Sequence, residues 1–252
     1  MFQATDNDKL SAIMDESPEN KEVISKLLEA HRLQISAISH EIRNPLSLVY
    51  SSIQLIEADH PEVRNYRHWA QMREDVEYMT RLLEELSSYN NGEWLNLTAT
   101  GMTSWLRTLA LSFAASLIDT PVEFVSRIDP DLPVLPIDQV KFRQALFNLL
   151  GNARDALSDG ANPAPVLTFS AKMQASGRQL VLTVSDNGCG IAPEDLDTLF
   201  EPFVTHKPGG TGLGLAIVRR VIRAHNGEIR VFSEPGKGST FSVFLPVQQD
   251  PA

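Results

Sequence analysis

Ser39-His40-Glu41-Ile42-Arg43-Asn44-Pro45-Leu46 places a histidine, a carboxylate and an amide within five residues of one predicted helix. The helix is read from Leu28, Ile35, Ile42, Val49 and Ile56, apolar at strict seven-residue spacing. Ile24 and Ile38 fall on a second line beside the first, so the pattern is a heptad seam with those five residues at a. His40 then falls at f, opposite the seam. A helix that buries one stripe leaves f in water, so His40 is expected to be exposed and reachable. A core histidine would sit at a or d, so the periodicity argues against that reading. Periodicity alone leaves an idle surface histidine open.

Working outward, Pro18-Glu19 suits a helix start with Ser17 as N-cap. The helix is expected over 19–58. Pro45 lies inside it and removes one backbone bond, which predicts a bend just after the histidine. Asp59-His60-Pro61 breaks the pattern. A second helix is expected over 62–90, where Trp69, Met72, Val76, Met79, Leu83 and Leu86 alternate spacings of three and four. Two such helices form an antiparallel hairpin. Its core is too small to stand alone, and pairing with a second copy gives a four-helix bundle. A homodimer is therefore expected, the alternative being an intramolecular coiled coil packed on the other domain. Residues 1–18 read as an acidic flexible tail with one helical turn around Leu10–Met14. Residues 19–91 read as the hairpin domain and 92–248 as a second domain.

In the second domain the periodicity changes. Short strands are expected at Leu95–Leu97 and Val122–Ile128, with a helix from Thr103 to Ile118 behind a Thr103 or Ser104 cap. Val140–Leu157 reads as a strongly apolar helix. Pro165–Met173 and Gln179–Ser185 read as adjacent antiparallel strands, followed by a helix over Gly212–His225. Glu228–Ser233 and Thr240–Pro246 read as a closing hairpin. Strands and helices are segregated, so the fold class is an α+β two-layer sandwich behind an all-α hairpin.

Three glycine clusters carry the chemistry of this domain. Asp186-Asn187-Gly188-Cys189-Gly190 follows a strand. It offers a fixed carboxylate able to accept from an exocyclic amine such as adenine's, and glycines that let backbone approach a ligand. Gly209-Gly210-Thr211-Gly212-Leu213-Gly214-Leu215 opens a helix, where free N–H groups make a phosphate cradle. It is not a Walker A loop, because no Gly-Lys-Ser/Thr is present. Gly236-Lys237-Gly238 is a hairpin turn. Pro193–Pro208 has the length of a lid, anchored by Phe200 and Phe203, and its Lys207 is placed to reach a terminal phosphate. His206 reads as a solvated lid residue. Asn148 and Asn152 share one face of an apolar helix, where amides are costly unless they bind something. An amide oxygen suits Mg²⁺.

Composition narrows the classes. A net charge of -10 argues against a general nucleic-acid binder. The single cysteine, Cys189, rules out an internal disulfide and a CxxC metal site. No run approaches the ~18 apolar residues of a membrane span, and residues 1–8 lack the basic start and apolar core of a signal peptide. The expectation is a cytoplasmic protein with no membrane span and no nucleic-acid partner.

Taken in order, His40-Glu41-Ile42-Arg43-Asn44-Pro45-Leu46, the Asn148/Asn152 helix, Asp186 to Gly190, Phe200-Glu201-Pro202-Phe203, Gly210 to Gly214 and Gly236 to Gly238 resemble the H, N, G1, F, G2 and G3 boxes of two-component sensor histidine kinases. The match runs from His40 to Phe241. Each box is weak alone; six in order are very specific. Asn152–Leu157 and Phe203–Gly212 are worded like the nitrogen-regulation type, with His206 where many of those have threonine.

The resemblance implies a dimerisation and histidine-phosphotransfer hairpin followed by a Bergerat-fold ATP domain. It implies ATP and Mg²⁺ as cofactors, Asp186 on adenine, Asn152 on the metal and the G2 glycines around the phosphates. The nucleotide set it implies is Asn148, Asn152, Asp155, Asp186, Gly188, Gly190, Lys207, Gly210, Thr211, Gly212, Leu213, Gly214 and Thr240. The catalytic set is His40 as nucleophile, Glu41 as general base, and Asn44 orienting a water for dephosphorylation of the partner. The implied partners are a second copy and a response-regulator receiver domain in trans. About 20 residues precede the hairpin, too few for a sensory domain. Sensory input is therefore expected from a partner protein, from the tail or from a region not in this sequence. Two rivals share the ATP fold. A chaperone- or gyrase-like ATPase needs a water-activating glutamate near Asn148, which an amide cannot replace. A non-catalytic dimeric adaptor sits poorly with intact His40, Glu41 and Asn152.

Overall fold

The computed structural model describes residues 13, 17–91, 94–158, 163–207 and 209–247; the side chains of Leu28 and Arg32 are also outside that description. Most of the expected tail, its helical turn and Pro208 of the lid therefore lie outside the described residues. The chain divides into two compact units, Met1–Asn91 and Gly92–Ala252.

In the first unit, α1 runs over Pro18–Asp59. Ser17 caps it as expected, its hydroxyl accepting from Asn20 N at 3.1 Å. The helix continues through Pro45. A 3-10 turn over Pro61–Asn65 follows, and α2 spans Trp69–Asn90. The second helix thus begins later than the sequence pattern suggests, because Pro61 opens a tighter turn and the chain breaks again at Tyr66.

The helices pack as a hairpin, but not along the expected seam. The face of α1 turned inward carries Ser39, Arg43, Leu46, Tyr50, Ile53 and Glu57, alternating steps of four and three. Ile53 and, on α2, Val76 are its buried apolar residues. Glu57 is buried at the closed end, where it accepts from Trp69 Nε1 at 2.7 Å and sits between Arg64 and Arg73. The heptad line read from the sequence stays open in the single chain: Ile42, Val49 and Ile56 are 47, 46 and 42% exposed. Ser39 escapes an apolar reading because its hydroxyl is spent on the Ile35 carbonyl.

The second unit contains β1 (Thr98–Gly101), α3 (Met102–Ala114), β2 (Glu123–Ile128), β3 (Val134–Ile137), α4 (Gln139–Ala156), β4 (Val166–Met173), β5 (Gln179–Asp186), the short α5 (Pro193–Leu196), α6 (Gly214–Ala224), β6 (Glu228–Glu234) and β7 (Gly238–Pro246). Among the described residues the main sheet has the order β2-β4-β5-β7-β6; β2 and β4 are parallel and the other pairs antiparallel. A two-stranded ribbon, β1-β3, lies apart. Phe169, Val184 and Phe241 are cross-strand partners on one face and are buried against the apolar sides of α4 and α6, where Leu146, Leu149, Ile217 and Val221 are also buried. Alternation of buried and half-buried residues along β4 and β7 is the period-2 signature of a sheet covered on one side.

The strand expected at Leu95–Leu97 is irregular, and pairing starts at Thr98. The expected helix cap at Thr103 or Ser104 is absent: Gly101 is the N-cap, and Thr103 Oγ1 donates to the Pro130 carbonyl at 3.0 Å and accepts from Leu132 N. Asp138 caps α4, accepting from Val140 and Lys141 N with one oxygen and Asn96 N with the other. Its own N–H donates to His225 Nε2 at 3.0 Å, while His225 Nδ1 meets the Val221 carbonyl at 2.7 Å. Burial pushes the Asp138 carboxyl up. The hydrogen bonds from Asn96, Lys141 and Val140 and the Lys141 charge outweigh it, so the group sits below its ordinary 3.8.

Candidate functional site

His40, Glu41 and Asn44 all lie on the exposed surface of α1. None of the three side chains forms a hydrogen bond or ion pair with another described residue. The imidazole of His40 is therefore unencumbered, and Glu41 and Asn44 follow it at one and four residues along the same helix.

In the second unit, β5 delivers Asp186 at its carboxyl end. The side chain is buried, 7% exposed, and its Oδ1 accepts from Gly188 N at 3.0 Å and Ser239 N at 3.3 Å. Oδ2 has no partner. Burial pushes this carboxyl above its ordinary 3.8 despite the two backbone donors and the Lys207 charge. A desolvated carboxylate with one fixed and one open oxygen is suited to receive an amine.

The glycines around Asp186 hold backbone against backbone. Gly188 lies on the Ala156 carbonyl at the end of α4, Gly190 on the Glu234 carbonyl, and Gly238 on the Asp186 carbonyl; a Cβ at any of them would collide. Gly236 N donates to the Cys189 carbonyl at 2.7 Å and Ile191 N to Ser233 Oγ at 2.8 Å. The β6-β7 turn therefore braces the loop that follows Asp186.

Thr240, expected among the nucleotide contacts, does not share a face with Asp186. It pairs with Ser185, whose hydroxyl lies 2.8 Å from its own, on the sheet face away from Asp186. Ser239 is the cross-strand partner of Asp186 and is buried. The alternation rule applied from buried Phe241 would have placed Ser239 on the Asp186 side.

α4 presents Asn148, Asn152 and Asp155. Asn148 Nδ2 donates to the Gly214 carbonyl at 3.1 Å, tying α4 to the start of α6. Asn152 Oδ1 and Asp155 Oδ2 both accept from Lys207 Nζ, at 2.9 and 3.1 Å. The lid is fixed in two further places. Phe203 N donates to the Gly212 carbonyl at 2.9 Å, and His206 Nε2 lies 3.0 Å from Asp195 Oδ1 on α5. Phe203 and Gly212 both have positive φ, 67° and 71°, and cross so closely that a Cβ on Gly212 would meet the Phe203 backbone. Thr211 Oγ1 accepts from Leu213 N at 3.3 Å; the Leu213 side chain is fully buried, so only its backbone faces the loop. His206 is solvated, as expected, and also lies against Asp195, which carried no signal in the sequence.

These residues fit the groups that the motifs imply. Asn152 and Asp155 already hold a cation, the Lys207 ammonium, with oxygen donors only, which is the donor set of a hard ion such as Mg²⁺. Among the described residues no cluster of three or more His, Cys, Asp or Glu could hold a metal by itself. A metal here would rest on Asn152 together with phosphate oxygens and water. The open Oδ2 of Asp186 beside closely packed glycine backbone fits a purine.

Two family models match the chain: the histidine kinase-, DNA gyrase B- and HSP90-like ATPase over residues 137–249, and the His Kinase A phospho-acceptor domain over residues 30–93. The chain is similar to the signal transduction histidine-protein kinase AtoS of Escherichia coli strain K12, 30% identical over 90% of this chain and 37% of that protein. It resembles the sensor histidine kinase ZraS of the same organism, 30% identical over 84% and 44%. It is 32% identical to the sensory histidine kinase/phosphatase NtrB of Salmonella typhimurium strain LT2, over 92% of this chain and 68% of that protein. The chain thus spans less than half of AtoS and ZraS. Among solved structures, full-length ShkA in complex with AMPPNP superposes with a TM-score of 0.69 at 26% identity, over 87% of this chain and 46% of that one. The fold of Acinetobacter baumannii histidine kinase AdeS also matches, with a TM-score of 0.57 over 83% of this chain and 98% of that one. Among the described residues no helix is long and apolar enough to cross a membrane.

Proposed function

Because the chain belongs to the two-component sensor histidine kinases, we propose that it transfers the γ-phosphoryl group of ATP to His40 and passes it to an aspartate of a response-regulator receiver domain. The observation that carries the reading is the free, exposed imidazole of His40 with Glu41 beside it.

A ring nitrogen of His40 attacks the γ-phosphorus in line, ADP leaves, and Glu41 takes the imidazole proton as the N–P bond forms. Phosphoryl transfer asks mainly for positioning and charge neutralisation. Asp186 holds the adenine amine, the backbone from Gly210 to Gly214 wraps the phosphates, and Lys207 neutralises the terminal one. Asn152 would hold Mg²⁺, which would supply further neutralisation of the phosphate charge. Asn148 is tied to Gly214 and, as an amide, cannot activate water, which disfavours bare ATP hydrolysis.

Two copies are needed to cover Ile38, Ile42, Val49 and Ile56, which one hairpin leaves exposed together with Met72 and Met79. The bundle is therefore a homodimer. ATP as phosphoryl donor and a receiver protein as acceptor put the reaction in the cytoplasm. Dephosphorylation of the regulator is a second activity of the same helix. The NtrB relative is named a kinase/phosphatase, and Asn44 lies one turn from His40, placed to orient a water.

The test is incubation with γ-labelled ATP and Mg²⁺ beside His40→Gln and Asn152→Ala. Acid-labile, base-stable label on the wild type alone is the expected result. Label retained on His40→Gln would remove His40 as the nucleophile.

A further inference from the structure

Lys207 is the residue whose placement the phosphate role does not explain. Its ammonium is spent on Asn152 and Asp155, at 2.9 and 3.1 Å, and not left open for a ligand. Its backbone is fixed to produce this aim. Lys207 N donates to Thr205 Oγ1 at 3.1 Å, and its carbonyl accepts from Gly210 N at 3.0 Å. A side chain on Gly210 would strike Thr205 Oγ1 and the Lys207 Cβ. The turn is closed on both sides and the lysine is sent to the α4 carboxamide.

We propose that Lys207 is a built-in competitor of Mg²⁺ at Asn152 Oδ1. Without nucleotide it latches the lid onto α4, and the incoming metal displaces it. This rests on the nucleotide-binding reading above and deepens it. The reason is charge. An ammonium bonded to the amide oxygen and a divalent ion coordinated to the same oxygen would be held a few ångström apart with like sign, so one must leave. Lys207 and Asp155 are about half exposed. Exposed charge-assisted bonds are weak enough to be exchanged, yet together they bias the lid. Displaced from Asn152, the lysine stays within the length of its own side chain of the same place and is then free for the phosphate whose arrival released it. One residue thus serves in turn as latch and phosphate ligand, and its release depends on metal and nucleotide arriving together.

The test is hydrogen exchange of the full chain without nucleotide and with chelator, for wild type, Lys207→Met, Asn152→Ala and the double variant. Amides of Val204 to Lys207 are expected to exchange about two- to tenfold faster in Lys207→Met and by a smaller factor in Asn152→Ala, which keeps the Asp155 bond; the double variant should match Lys207→Met. Unchanged exchange in Lys207→Met overturns the latch. Acceleration in Lys207→Met but not in Asn152→Ala overturns Asn152 as its partner. ADP titrations with and without Mg²⁺ provide the second readout. The gain in affinity from Mg²⁺ should be larger in Lys207→Met than in wild type, and an equal or smaller gain overturns competition. Absence of any ADP binding by the wild type would sink the nucleotide reading itself, while leaving the exchange result interpretable.

Discussion

Gly238 stands against the carbonyl of Asp186 with no room for a side chain, so that the turn between β6 and β7 and the end of β5 are one packed unit. Its φ of +99° excludes an L side chain on conformational grounds as well. The third glycine box therefore acts by placing Asp186.

Gly238→Ala and Gly236→Ala separate that role from simple turn formation. Gly236 also has positive φ, but a Cβ there meets nothing within 4 Å. Gly236→Ala should cost about 1–2 kcal/mol of backbone strain and leave ADP binding nearly intact. Gly238→Ala adds a collision to the strain and should cost about 2–5 kcal/mol, with a large loss of ADP affinity. Thermal melts and ADP titration compare the two; similar behaviour of both variants would refute the bracing role.

Asp186→Asn should weaken ADP binding by about ten- to a hundredfold, the loss of a hydrogen bond to a charged acceptor. The same change should not destabilise the empty protein. The carboxyl is raised above 3.8 on folding, so the ionised form is a burden on the fold at neutral pH, and a neutral amide can still accept from Gly188 and Ser239. An unfolding curve and a binding isotherm on the same variant give both halves of the prediction.

His225 sets a pH dependence. Both ring nitrogens are engaged by the neutral form, one accepting from Asp138 N and the other facing the Val221 carbonyl. Burial depresses its pKa below 6.5 despite the carbonyl bond and the Asp138 charge. The folded state thus binds the proton less readily than the unfolded chain. Its contribution is full above pH 6.5 and falls as pH drops below that value, by at most about 1.4 kcal/mol per pH unit. Denaturant unfolding from pH 7.5 to 5 should show this slope in the wild type and a reduced one in His225→Gln.

Val49→Glu with Ile56→Glu tests the open seam of α1. Both residues are more than 40% exposed in a single hairpin, so the charges should leave the hairpin interior untouched and drive the dimer apart. Light scattering after gel filtration should give a dimer for the wild type and a monomer for the variant. A monomeric wild type would remove the dimer.

Glu41→Gln should slow phosphorylation of His40 by about 10²–10⁴-fold, the usual contribution of a general base, with ADP affinity unchanged. Single-turnover labelling beside nucleotide titration checks this, and an undiminished rate would assign the proton to water.

Much of the fold was legible because local rules governed it. The Ser17 cap, the apolar runs of β4 and β5 and the glycines leading into α6 are all signals carried within a few residues. β3 was hidden because Pro136 sits inside Val134–Ile137 and reads as a break. Periodicity found the apolar line of α1 but not its neighbour. The inward face of the hairpin is half polar, with Ser39, Arg43, Tyr50 and Glu57, and no hydrophobic count selects it. At the nucleotide site, residue types and order pointed to Asp186, Asn152 and Lys207.

By itself, the sequence determined which groups this protein can present: an exposed histidine followed by a carboxylate on a long helix, a carboxylate at a strand end, amides on an apolar helix and glycines where backbone must pass close. Only the tertiary structure decided which of them meet. It set Ser239 rather than Thr240 beside Asp186, paired His206 with Asp195, closed Lys207 onto Asn152 and joined Asp138 to His225. These contacts bridge residues far apart in the chain. Periodicity records how one element orients its own side chains; contact between elements depends on how their backbones pack, and that is fixed by the whole core at once.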